Sequence, residues 1–197
     1  MERGPLVADL VKEHKTEIDR ILAKYKDKKE SAGALIDELF VLRFILSDKK
    51  NAEKKLQEAL EWREKNKESL LEAVANDGGK DLHKLLKYTK RGVCGWIMNQ
   101  FLVNVVRAGL GDAVGLMKEL KPEEITHDIL MEDEVIFRMI DAKTRETGYL
   151  CKVINIMDFH GFSFSRIDRR FFASLGAASH TASIVYPQFL AKVVTVN

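Results

Sequence analysis

The chain has 197 residues, of which 46% are apolar, and its 32 basic and 30 acidic residues leave a net charge of +2. This length and composition suit one sizeable globular domain, with or without a helical appendage. The small net charge excludes a global field that would attract nucleic acid or an anionic membrane. Because no apolar run approaches about 18 residues and the N-terminus lacks a signal-peptide core, we expect a cytoplasmic protein.

The first ninety residues have the apolar spacing of amphipathic helices. Apolar side chains recur at helical intervals over residues 6–25 and 34–46, which predicts two helices. Asn51 is a candidate N-cap for a third helix, and Asp81 for a short fourth one. Charge density falls near residue 90, which predicts a helical N-terminal module over 1–90 and a second domain over 91–197.

The second domain alternates strands and helices. A β-branched run over 101–106 predicts a strand, and a short helix over 112–120 follows it. Pro122 suits the first turn of a longer helix that runs to about residue 145. This alternation is typical of an α/β fold with a parallel or mixed sheet flanked by helices.

The last third of the chain contains the strand, helix and strand on which the predicted fold is based. A β-branched run from residue 153 leads into the turn Asp158-Phe159-His160-Gly161, and a helical run over 166–184 ends before Pro187. A second β-branched run over 192–196 follows. Strand, helix, strand is the crossover that places two parallel strands side by side, so we expect these two runs to be neighbours.

Gly109 to Gly115 offers the clearest hint of an enzyme, because this glycine-rich turn follows a strand and opens a helix. Such a turn can bind a pyrophosphate. A dinucleotide site also needs a second strand that ends in an acid about 20 residues on. That region, residues 123–134, reads as helix, so a plain strand-to-helix turn is the preferred interpretation.

The remaining polar candidates form no catalytic or metal set. Asp158 and His160 lie at a strand end, but no nucleophile with an orienting partner can be assigned from the spacing. Asp158 is therefore expected to fix the turn by accepting hydrogen bonds from backbone N–H groups. The histidines are scattered, which predicts no metal site. Cys94 and Cys151 are expected to be reduced thiols.

Two side-chain groups near the end of the chain have two interpretations each. Three arginines, Arg166, Arg169 and Arg170, could contact a phospholipid phosphate, although a solvated helix face is preferred. The phenylalanines after the first strand could pack in the core or form a wall against a ligand, and core packing is preferred. The group comprises Phe159, Phe162, Phe164, Phe171 and Phe172.

Two motifs in this order resemble the CRAL-TRIO lipid-binding family, which includes phosphatidylinositol transfer proteins. Leu42-Arg43-Phe44-Ile45-Leu46, a capped helix and Trp62-Arg63 are similar to the family's N-terminal module. The apolar strand into Asp158, a helix, Tyr186-Pro187 and a strand ending in Asn197 resemble its lipid-binding domain. The two signatures cover residues 35–63 and 150–197.

The resemblance implies a non-enzymatic protein that binds one hydrophobic lipid, with a phospholipid as the expected class, in an apolar cavity over the sheet. It implies transfer or presentation of that lipid, transient contact with a membrane, and no cofactor besides the bound lipid. Strand alternation places Val153, Asn155 and Met157 on one face. The resemblance assigns six residues to the lipid site: Val153, Asn155, Met157, Gln188, Val193 and Thr195.

The headgroup cannot be inferred from the resemblance. Phosphatidylinositol-transferring members carry an acid where this chain has Gln188, and the hydroxyl residues that contact choline correspond to Val153 and Asn155. Family members also continue past the position of Asn197 with a gate helix. We therefore expect either a fragment that is incomplete at its C-terminus or a protein partner that covers the cavity.

Two other functions stay open. The same fold could act as an interaction scaffold that binds a protein through its helical module, with a cavity that is vestigial or filled by its own side chains. A nucleotide-dependent enzyme that uses the turn from Gly109 to Gly115 is the third hypothesis.

Overall fold

The computed structural model describes residues 3–197, which form a mixed α/β structure. Eight α-helices lie in this range: α1 Val7–Leu22, α2 Glu38–Ser47, α3 Ala52–Lys65, α4 Lys67–Ala75, α5 Leu82–Thr89, α6 Ala113–Glu119, α7 Pro122–Thr147 and α8 Arg169–Val185. Six strands accompany them: β1 Glu30–Ser31, β2 Ala34–Leu35, β3 Arg91–Ile97, β4 Phe101–Val106, β5 Lys152–Asp158 and β6 Leu190–Val196. Single 3₁₀ turns occupy Ala23–Tyr25, Ala108–Leu110 and Phe164–Arg166.

A four-stranded mixed sheet in the order β3-β4-β5-β6 forms the floor of the second half of the chain. β3 and β4 form an antiparallel hairpin, whereas β4, β5 and β6 run parallel to one another. The two C-terminal strands are therefore neighbours, as predicted. The predicted α/β class with a mixed sheet and flanking helices is confirmed.

The helix predicted over residues 34–46 begins later than expected. Ala34 and Leu35 form strand β2, which pairs with β1 in a small hairpin. Its turn has positive φ at Ala32 and Gly33, +48° and +75°, a combination that a tight hairpin requires. The α2 helix starts only after Asp37, whose carboxylate accepts the Phe40 N–H at 3.0 Å.

Strand β3 was not predicted, and two predicted caps make no capping bond. Gly92 and Gly95 weaken the strand signal in β3, and a bulge lies between Val93 and Gly95. Asn51 and Asp81 stand at the N-cap positions of α3 and α5, but neither side chain caps its helix. The remaining predicted helices and strands are present, with ends shifted by up to three residues.

Helix α7 packs on α8, α3 packs on α8, and α4 and α5 pack on α7, whereas α1 packs on α2. A continuous apolar core joins Ile18 of α1, Val153 of β5 and Tyr186, the residue after α8. The predicted division near residue 90 falls between α5 and β3 and stays a prediction. Within residues 3–197, no helix has both the length and the apolar content that crossing a membrane requires.

Candidate functional site

A cavity of about 290 Å³ opens where the parallel strands end. Asn155 and Met157 of β5 and Val106 of β4 form part of its floor, and Phe171 and Leu175 of α8 face them. The carboxyl ends of parallel strands are the usual ligand position in open α/β sheets, because the connecting loops diverge there. The volume lies at the lower end of the roughly 300–1,000 Å³ found for small-molecule sites.

The cavity occupies the outer part of one face of the sheet. The inner part of the same face is packed in the apolar core. Further along the same face towards the start of β5, Val153 is 1% exposed and belongs to the apolar core with Ala178 and Val185 of α8. Only at Asn155 and Met157 does the space between sheet and helix widen into the cavity. Cavity and packed core therefore share one sheet face.

Aromatic side chains surround the mouth of the cavity. Phe159, Phe162, Phe171 and Phe172 line it, and the Phe159 and Phe162 rings meet edge-to-face with centroids 6.0 Å apart. Phe164 extends this row with its ring centroid 5.5 Å from that of Phe162. Phe164 is 84% exposed and Phe172 51%. Phe162 is also exposed, at 43%, so the preferred interpretation as core packing is wrong for these three rings, which lie at the surface.

The other four predicted lipid-site residues lie in different surroundings from the two that line the cavity. Val153 is in the core. Val193 and Thr195 pair in register with Asn155 and Met157, but β6 is the sheet edge and both side chains are exposed. Gln188 lies at the opposite end of β5, where its side-chain oxygen accepts a hydrogen bond from the Lys152 ammonium.

Asp158 fixes the turn after β5, as predicted. Its Oδ1 accepts the His160 backbone N–H and the Asn197 side-chain amide, each at 2.9 Å. These two bonds, with the nearby Arg107, lower the pKa of the Asp158 carboxyl. The carboxylate is thus held in its ionised form by structural contacts, and neighbouring His160 is exposed.

The three candidate arginines of the last third have different roles. Arg166 lines the cavity and has no ion-pair partner among residues 3–197. Arg170 is bound to Asp168, which also caps α8 by accepting the Arg170 N–H. Arg169 is exposed at the start of α8, which agrees with the solvated-face interpretation.

A charged cluster that sequence reasoning missed lies beside the cavity. Arg91, the first residue of β3, lines the cavity and forms an ion pair with Glu132 of α7. The neighbouring Asp133 is also half-buried. Burial, reinforced by the charge of Glu132, raises the pKa of Asp133 to about 7, and burial also raises the pKa of Glu132.

The glycine-rich turn has a packing role. A Cβ at Gly109 would lie 2.0 Å from the His160 carbonyl oxygen, so the absence of a side chain lets the turn contact the loop after β5. Asp112 caps α6 by accepting the Gly115 N–H at 2.9 Å. Because α6 has seven residues and the acid-ended second strand is replaced by α7, this geometry favours the plain-turn interpretation.

No family model and no curated protein matches the chain. Within residues 3–197, no group of three or more His, Cys, Asp or Glu side chains could hold a metal ion. Both cysteines are free thiols, with Cys94 exposed and Cys151 buried.

Two signals could have pointed to the missed cavity residues. Tyr88 and Thr89 end α5, and Ala108 follows β4, whose end at Val106 was predicted correctly. Arg91 was missed because its strand was missed. Its position directly after the fall in charge density was the available signal.

Proposed function

We propose that this protein binds one hydrophobic lipid without chemical conversion and transfers or presents it at membranes. The observation that carries the proposal is the apolar cavity at the carboxyl ends of β4 and β5, with exposed phenylalanines at its mouth. Asn155 and Met157 line it, as the resemblance to the CRAL-TRIO family implies. The mixed sheet, with β5 and β6 as parallel neighbours, agrees with what that resemblance implies.

The size of the cavity favours a single chain as its occupant. A water molecule takes about 30 Å³ in the liquid, and a methylene group is of similar size, so about ten such groups fit. Removing ten methylene groups from water gives about 8 kcal/mol before the costs of association are subtracted. The costs of association take about 4 kcal/mol or more of this, so contacts of the headgroup must add to the affinity. A two-chain phospholipid would place one chain or its headgroup outside the space described.

The scaffold alternative predicts a vestigial cavity or one filled by the protein's own side chains. The space between Met157 and Leu175 is open, so no observation favours that alternative. For the nucleotide-enzyme alternative, Gly109, Gly111 and Asp112 line the cavity, but Gly109 packs against the His160 carbonyl and α7 takes the place of the acid-ended second strand.

Lipid analysis of the purified protein tests the proposal. We expect organic extracts, measured by mass spectrometry, to contain about one lipid per chain, or the delipidated protein to take up one labelled lipid from vesicles. Ala113→Phe places a ring in the cavity and should reduce uptake more than tenfold, because the chain loses its space.

Ala177→Phe is the matched control, since Ala177 is exposed on α8 and does not line the cavity. It should take up lipid like the wild type. A folded wild-type protein that neither carries nor acquires lipid would contradict the proposal. So would equal uptake by the two phenylalanine variants.

A further inference from the structure

Arg91 differs from the other charged residues around the cavity because part of its guanidinium is buried and unused. Its side chain is 12% exposed and forms an ion pair with Glu132. The Nε atom is buried and has no hydrogen-bond partner among residues 3–197. A buried donor without a partner costs free energy, so a ligand atom that accepts from it would be favoured.

Arg91 lines the cavity beside the space for the chain. Arg91 pairs in register with Val106, which in turn pairs with Met157, so the three residues form one row across the sheet. All three line the cavity. Asn155, one row further in, also lines it and accepts a hydrogen bond from Asn104 at 3.0 Å. One side of the cavity floor is therefore polar, and its opposite wall is aromatic.

The charges that line the cavity favour an anion. Two cations, Arg91 and Arg166, and one anion, Asp112, are found there. Asp112 is engaged by the Gly115 N–H, whereas Arg166 has no ion-pair partner within the described chain. Glu132 and Asp133 lie beside Arg91 outside the lining, so an anionic head that binds Arg91 must share the guanidinium with the Glu132 carboxylate.

We propose, on the basis of the lipid-binding function above, that the ligand is a single-chain alkyl anion whose head is bound by Arg91. The head is a carboxylate or a phosphate monoester, because a guanidinium matches the paired oxygens of both. The chain lies between Met157 and the phenylalanines of the opposite wall.

Isothermal titration calorimetry of the full chain at pH 7.5 tests the head and the chain separately. Decanoate and decyl phosphate are the two anionic probes, decanol the neutral one, decyltrimethylammonium the cationic one, and acetate the head alone. We expect at least one anionic probe to bind tenfold or more tightly than decanol and the cationic probe. Acetate should not bind, and octanoate should bind about 16-fold more weakly than decanoate if the carboxylate is preferred. The stronger of the two anionic probes identifies the head.

Three variants distinguish binding by the Arg91 guanidinium from the effects of losing the Glu132 charge or of misfolding. Arg91→Gln combined with Glu132→Gln removes both charges of the pair, so neither is left buried alone, and should abolish the preference for the anion over decanol. Glu132→Gln alone keeps the guanidinium and should bind the anion at least as tightly as the wild type. If the double variant does not fold, Arg91→Lys replaces it and should bind the anion several-fold more weakly.

The outcomes distinguish this proposal from the general function. Equal binding of decanol and the anions, or an anion preference that survives in the Arg91 variants, overturns the role of Arg91 and leaves lipid binding intact. If no alkyl probe binds the folded wild type and no lipid is acquired from vesicles, both proposals fail.

Discussion

The side chains of Arg63 and Glu134 form a buried ion pair that joins α3 to α7. Both are 0% exposed, and two parallel bonds of 2.8 Å link the guanidinium to the carboxylate. Glu134 also binds Arg138, which reaches the carbonyls of the β1–β2 turn. Each charge would be costly to bury alone. Removing one partner is therefore expected to cost more free energy of unfolding than the intact pair contributes.

Replacing one partner of this pair should destabilise the fold severely. Glu134→Gln leaves the Arg63 charge buried without a counter-charge, and we expect a loss of about 3–5 kcal/mol in the free energy of unfolding, measured by urea titration. Glu58→Gln breaks an exposed pair with Lys54 and should change stability by less than about 1 kcal/mol. Equal losses in the two variants would show that burial of the pair is not decisive.

The raised pKa of Asp133 makes stability depend on pH. Its carboxyl titrates near 3.8 in the unfolded chain and near 7 in the folded one, beside Glu132 and Arg91. The folded state therefore holds a proton that the unfolded state releases between these values. Stability is highest below pH 3.8 for this group and falls as the pH rises to about 7.

Asp133→Asn should remove this loss because the amide cannot ionise. Each pKa unit is worth about 1.4 kcal/mol, and partial access of water to the carboxyl reduces the sum, so we expect a gain of about 2 kcal/mol at pH 8. Near pH 4 the gain should nearly vanish. Urea titrations at both pH values measure it, with the exposed Asp77→Asn as control. A gain of equal size at both pH values would rule out titration of Asp133 as the cause.

Single-residue patterns predicted local contacts well and distant ones poorly. Asp158 was expected to bind backbone N–H groups of its own turn, and it does, because that contact spans two residues. The Arg63–Glu134 pair spans 71 residues, and only the packing of α3 against α7 and α8 brings its members together. Arg43 was noted in a motif, but its complete burial against Thr144 follows from tertiary packing.

Elements were predictable where periodicity was uninterrupted. The strands β4, β5 and β6 are β-branched runs, and α7 begins at the predicted Pro122. β3 contains two glycines and a bulge, so its side chains alternate irregularly and give no two-residue period. The β1–β2 hairpin is only two residues per strand, and its pairing depends on positive φ at Ala32, which composition does not reveal.

Substitutions at two glycines test the close contact between the turn after β4 and the loop after β5. Gly109→Ala would place a methyl group against the His160 carbonyl, and because both sides are backbone we expect a loss of about 1–3 kcal/mol in unfolding free energy. Gly176→Ala is the control, since a Cβ there meets nothing within 4 Å and lies inside α8. It should stabilise by about 0.5–1 kcal/mol. Thermal and urea unfolding measure both, and a neutral Gly109→Ala would contradict the contact.

At the scale of the whole molecule, the cavity and the exposed aromatic residues lie on the same side. The exposed ring of Phe164 contacts Phe162, and Phe162 lines the cavity mouth. Phe172 and Arg166 border the same opening. An exposed apolar group next to a cavity is suited to contact with a membrane, since aromatic rings partition into the interface between headgroups and chains. The proposed transfer function requires such a contact.

Removing these rings should slow transfer without preventing binding. Phe162→Ala combined with Phe164→Ala removes apolar area from the mouth but leaves Met157 and Leu175 in place. We expect at least a tenfold lower rate of lipid transfer between vesicles, since two buried rings are worth more than the 1.4 kcal/mol of one decade. Because Phe162 lines the cavity, the dissociation constant for a soluble alkyl ligand is measured alongside, and the fall in transfer rate should exceed the rise in that constant.

The matched control removes exposed apolar area elsewhere. Leu71→Ala combined with Val74→Ala trims two exposed side chains of α4, away from the cavity lining. Both double variants and the wild type are compared by transfer of a fluorescent lipid between vesicles and by co-sedimentation with them. Equal transfer by the phenylalanine variant and the wild type would exclude this surface as the membrane contact. A transfer defect in the α4 variant alone would place the contact on the helical module instead.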